Sequence, residues 1–87
     1  MNERMESLAR RQRASNEIRD KIDELVLRAL SFIDFLPPER IAERSGVGLM
    51  ACQLALHRLH ERGEVERAPI SAGWAWRLAA VAQAGRT

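Results

Sequence analysis

The run from residue 41 to residue 67, IAERSGVGLMACQLALHRLHERGEVER, constrains the fold more than any other part of the chain. Two short helical stretches flank Ser45-Gly46-Val47, and a charged, alternating segment follows Gly63. A chain reversing direction between two packed helices needs a positive backbone φ, which glycine adopts at little steric cost. Gly46 is therefore expected to set the corner, with Val47 plugging it. Gly63 is expected to cap the next helix in the left-handed conformation.

The flanking segments extend this pattern. From Asn16, the residues Ile18, Ile22, Leu25, Ala29, Phe32 or Ile33, and Leu36 recur at steps of three and four, which predicts one buried stripe on a first helix capped by Ser15 or Asn16. Pro37-Pro38 should stop it, since proline donates no helical hydrogen bond and pushes its predecessor out of the α region. Pro38-Glu39 can then open a second helix over residues 38–44, with Ile41 and Ala42 turned inward. A third helix, starting near Gly48 or Leu49, places Leu49, Cys52, Ala55, Leu56 and Leu59 on one side as its core face. Residues 64–68 alternate as a strand, residues 69–73 carry turn chemistry, and residues 74–78 alternate again, which predicts a two-stranded hairpin. Trp76 and Leu78 are expected to close the core beneath it, with Trp74 either joining them or serving as a partner contact.

The domain organisation read from this pass is a flexible or helical basic arm over residues 1–15, one domain over 16–79 and a short segment over 80–87, with a further short helix possible in 79–84. Arg10, Arg11 and Arg13 of the arm are either a solvated tail or backbone contacts for nucleic acid. At 87 residues, the chain buries only roughly 60 to 65% of its unfolded surface, so a homo-oligomer is a reasonable expectation. Its apolar runs are too short to span a bilayer, the first residues have no hydrophobic signal region, and Cys52 has no intrachain partner, which together point to the cytoplasm.

The net charge of +2 is spread thinly. Residues 1–15 carry four arginines against two glutamates, residues 16–36 are net acidic, and neither later segment exceeds one net positive charge. Thirteen of the fourteen basic residues are arginine, the residue best suited to planar recognition of phosphate, guanine or carboxylate.

The order helix, helix, turn, helix, hairpin resembles the winged helix-turn-helix family of bacterial and phage transcriptional regulators over residues 18–79. The likeness is carried by Ile41-Ala42-Glu43-Arg44, Gly46-Val47, Leu56, Leu59, Glu61-Arg62-Gly63, Val65-Glu66-Arg67 and Trp76-Arg77-Leu78. It implies a mainly α fold of three helices plus a small two-stranded β-hairpin, the wing. It also implies a sequence-specific DNA-binding regulator, dimeric, with the third helix in the major groove and the wing on the backbone or minor groove. Carried over, the DNA-facing positions are Gly48, Met50, Ala51, Gln53, Leu54, His57 and Arg58, with Arg67 and Arg77 on the wing.

Several of those positions depart from the family's habit. Gln53 can pair with adenine, and His57 and Arg58 can bind guanine or phosphate, but methionine, alanine and leucine stand where donors are usual. An outer face carrying Met50 and Leu54 also suits a protein-interaction module, such as a phage or mobile-element inhibitor or adaptor docking through Met50, Leu54 and Trp74.

Other chemistries find little support. His57 and His60 are three apart with Cys52 nearby, but a structural zinc site needs four ligands and Cys52 projects to the core, so no metal is expected. Mid-helix on an apolar face, Cys52 is a small hydrophobe and not a nucleophile. Asp20, Asp23 and Glu24 read as a solvated face of the first helix or as partners for Arg19, Lys21 and Arg28. No phosphate-binding glycine loop or catalytic set is present, so neither an enzyme nor a cofactor is expected.

Overall fold

The computed structural model describes residues 2–80, with side-chain surroundings from residue 15 onward. The expected short helix over 79–84 lies, beyond Ala80, outside the described residues, as do the side chains of Arg10, Arg11 and Arg13. Three helices, α1 (Asn2–Ala29), α2 (Pro38–Ser45) and α3 (Leu49–Glu61), precede two antiparallel strands, β1 (Val65–Ile70) and β2 (Gly73–Leu78).

The corners follow the local chemistry. Pro38 occupies the first turn of α2, where its missing N–H is no loss. Gly46 leaves α2 at φ 75° and donates its N–H to the Ala42 carbonyl at 2.9 Å. The Ser45 hydroxyl tightens this corner, donating to the Ala42 carbonyl and accepting from the Val47 N–H, each at 3.2 Å. Gly63 ends α3 at φ 76°, with its N–H on the His60 carbonyl and that of Glu64 on the Leu59 carbonyl. This paired 5→2 and 6→1 arrangement satisfies carbonyls that the helix end would leave unmade.

The first helix differs from expectation at both ends. It begins at Asn2, so Ser15 and Asn16 lie within the helix and cap nothing, and it stops at Ala29, not at Leu36. The Ser31 hydroxyl accepts the N–H groups of Ile33 and Asp34, and the chain then runs extended along the wing. Leu36 and Trp76 exchange two backbone hydrogen bonds of 2.8 Å, and Leu78 donates to the Ser31 carbonyl at 2.9 Å. The segment before Pro37 thus lends the hairpin a third, one-residue strand. Helical periodicity in 30–36 was misleading because these apolar side chains serve a loop: Phe32 and Ile33 are exposed.

The stripe on α1 shifts as well. Val26, Ala29 and Leu30 are buried, Ile22 packs at the margin, and Ile18 is 62% exposed. The core joins this stripe to Ile41, Cys52, Ala55, Leu56, Leu59, Val65 and Trp76. Cys52, Ala55, Leu56 and Leu59 are the inner face of α3 as expected, whereas Leu49, one turn earlier, is exposed at the helix start.

The hairpin is longer and its turn tighter than its sequence suggested. Register pairs Val65 with Leu78, Arg67 with Trp76, Pro69 with Trp74 and Ile70 with Gly73, leaving only Ser71-Ala72 at the tip. Arg67 therefore shares a face with both tryptophans, while Arg77 lies across from Glu66 on the other. Trp76 is buried, but Trp74 is 40% exposed and lies outside the core.

Candidate nucleic-acid interface

The surface left open by this fold is the outer side of α3 together with the adjacent wing. Because Cys52, Ala55, Leu56 and Leu59 turn inward, Met50, Gln53, Leu54 and His57 face out, and Ala51 is half-buried at the α1 side. Gly48 is exposed ahead of the first turn of α3, with its carbonyl receiving the Cys52 N–H. Met50 is 74% exposed and Leu54 56%.

Electrostatically this surface is sparse. Arg58 does not stand free: its Nη2 donates to Asp23 Oδ1 at 2.6 Å and its Nε to Oδ2 at 3.4 Å. Asp23 is only 4% exposed and also has Arg62 Nη2 at 3.6 Å, so it is neither part of a solvated face nor a partner for Arg19, Lys21 or Arg28. Its burial makes sense only with that pairing, since an unpaired buried carboxylate is costly. Within α1, the exposed Glu24 takes Arg28 at 2.6 Å and Lys21 at 3.8 Å.

On the wing, the Arg67 guanidinium carbon lies 4.1 Å from the centroid of the Trp74 ring and 5.7 Å from that of Trp76. The Arg77 Nε donates to the Glu66 carboxylate, and its guanidinium lies 4.2 Å over the Phe35 ring. The tip, from Ala68 to Gly73, carries no charge.

His57 and His60 both meet Trp76 edge to face, at 5.5 and 5.9 Å between ring centroids. Among the described residues, no group of three or more histidine, cysteine, aspartate or glutamate side chains is placed to hold a metal ion. Burial pushes the Cys52 thiol up to about 11, and its sulfur lies 3.9 Å from the Pro38 carbonyl oxygen. Also among the described residues, no helix is long and apolar enough to cross a membrane.

Between α3, the wing and the start of α2 runs an apolar groove of about 490 Å³, with Met50, Leu54, Ile70 and Trp74 among its lining residues. Gln53 and His57 supply polar atoms and, among the described residues, Glu39 is its one carboxylate and no lysine or arginine lines it. Sequence periodicity flagged Met50, Leu54 and Trp74 but could not show that they share one groove. Ile70 was missed because it was assigned to a turn. Asp23 was read as a surface carboxylate beside Asp20 and Glu24, because an aspartate on the polar side of a helix gives no sign of the arginine packed on it from another helix.

No protein-family model matches the chain, and no curated protein does. Solved structures do. A structure of the multiple antibiotic resistance repressor MarR is similar over 88% of this chain and 67% of its own, with a TM-score of 0.58 and 24% identity. A mutant of Lactococcus lactis ZitR in its apo form is similar over 98% of this chain and 68% of its own, with a TM-score of 0.55 and 15% identity. At such identities the likeness concerns the fold: this chain is a winged helix-turn-helix, three helices and a two-stranded wing, of the same architecture as MarR and ZitR.

Proposed function

We propose that the chain is a winged-helix transcriptional regulator that binds double-stranded DNA sequence-specifically as a homodimer, with α3 in the major groove and the wing against the backbone or minor groove. The observation carrying this reading is the unpacked outer side of α3, which holds Gln53 and His57 exposed beside the wing. The likeness in fold to a protein named as a repressor supports it. Gln53 and His57 read base edges, Met50 and Leu54 meet thymine methyls, Gly48 and Ala51 let the backbone approach, and Arg67 meets phosphate. Arg58 and Arg77 contribute only by exchanging a carboxylate for a phosphate. The chain's small size favours a dimer, since a partner subunit adds buried area.

The test is selection from random duplexes by the purified protein at about 0.15 M salt, where non-specific binding is weak. An enriched motif with two-fold symmetry is the expected result. No enrichment would refute DNA reading by α3.

One observation favours a second reading, a protein-interaction module. Met50, Leu54 and Trp74 line a single groove that, among the described residues, offers no cation to a phosphate. Exposed apolar surface of this kind is usually an interaction site.

A further inference from the structure

The groove between α3 and the wing has a neighbour. A second hollow of about 260 Å³ is lined by Ile18, Ile22 and Ala51, with Leu54 bordering both. A single compact ligand fills one cavity. Two adjoining hollows with a shared divider fit a chain that presents successive apolar side chains.

The charges on the two hollows differ in sign. Glu39 lies on the first and Arg19 on the second, and neither makes an ion pair among the described residues. Arg58 also borders the second, but Asp23 already neutralises it. An occupant is therefore favoured with a base at the α2 end and an acid at the α1 end. A phosphate backbone, negative throughout, meets the opposite of what Glu39 requires.

Trp76 forms part of the wall of the first hollow and is 2% exposed, so its indole ring reports on what occupies the groove.

We propose that these two hollows form a docking site for an amphipathic segment of another protein, carrying a lysine or arginine for Glu39, an aspartate or glutamate for Arg19 and apolar side chains between them. Because the site covers the outer side of α3, its occupation excludes duplex DNA. The docking deepens the second reading above; only the exclusion rests on the DNA reading.

The experiment is selection of random linear peptides displayed on phage against the full chain, followed by binding of the enriched synthetic peptide to variants. Enriched sequences should place a basic and an acidic residue on either side of apolar ones. Leu54→Glu should weaken binding by about tenfold or more. Glu39→Lys should weaken it similarly, and a peptide whose basic residue is replaced by glutamate should recover binding to that variant alone. The Trp76 indole N–H resonance should shift on binding. Enriched peptides that bind Leu54→Glu and Glu39→Lys as well as the parent, a library that yields nothing, or self-association abolished by Leu54→Glu would each overturn the docking site. In the second arm the peptide should displace a selected duplex. Simultaneous binding of both would overturn the exclusion, whereas failure to select any duplex would refute the DNA reading and leave the docking result standing.

Discussion

Arg58 on α3 donates its Nη2 to the buried Oδ1 of Asp23 on α1, 2.6 Å away and 35 residues apart in sequence. This contact ties the first helix to the third and takes Arg58 out of the free charge of the surface. Arg62 completes the arrangement, reaching both Asp23 and, at 2.8 Å, Glu64.

The two ends of that pair should respond differently to truncation. Arg58→Ala leaves a buried carboxylate with only Arg62 at 3.6 Å, and should cost on the order of 3 kcal/mol. In Asp23→Ala the orphaned guanidinium can turn to water, so the loss should be nearer ~1.5 kcal/mol. Urea denaturation of both variants measures the difference.

Releasing Arg58 should also alter DNA binding. If the chain binds duplexes as proposed, Asp23→Ala should raise affinity at low salt. It should also steepen the plot of log affinity against log salt by about 0.9 for each arginine that gains a phosphate. Fluorescence anisotropy over a salt series tests this, and an unchanged slope would show that Arg58 does not reach the duplex.

The inner and outer sides of α3 should separate cleanly in stability. Leu59 is fully buried, and Leu59→Ala should cost about 3 kcal/mol. Leu54→Ala, on the exposed side, should change stability by less than about 0.5 kcal/mol. Thermal and denaturant unfolding of the pair check this.

Gly46→Ala probes the corner itself. Beyond its own chain neighbours no atom lies within 4 Å of the position a Cβ would take, so the expected cost is the left-handed backbone alone, about 1 kcal/mol. A larger loss, measured by urea unfolding, would mean that the α2–α3 corner cannot absorb the change.

Alkaline pH should weaken the fold through Cys52. Its thiol ionises near 9.0 when unfolded and only near 11 in the core. Between those values the unfolded chain has lost a proton that the folded chain keeps, so stability should fall as pH rises, by up to about 1.4 kcal/mol per unit. Below pH 9 the contribution is intact. Cys52→Ala should be less stable at neutral pH, from the cavity, yet lack this alkaline decline in a denaturation series.

Much of the scaffold was legible because it rests on local sterics. Gly46 and Gly63 announce left-handed caps, Pro38 a helix start, and the four-residue recurrence from Cys52 to Leu59 an inner face. The first helix was harder to end. Phe32, Ile33 and Leu36 continue a helical rhythm, and the turn at Ser31 with the pairing of Leu36 and Trp76 takes that stretch into an extended path. Likewise, Ile70 read as part of a turn until strand pairing with Gly73 placed it on the groove.

What the chain's order of residues determined alone is the succession of elements and the corners between them, since a glycine's φ or a proline's missing N–H acts within a few residues. Tertiary packing decided which charges remain available. Arg58 is neutralised by a helix more than thirty residues away, Trp74 is left half-exposed beneath Arg67, and Met50, Leu54 and Ile70 meet in one groove. Such outcomes depend on desolvation and on contacts between distant segments, and neither is written in the local pattern of either partner.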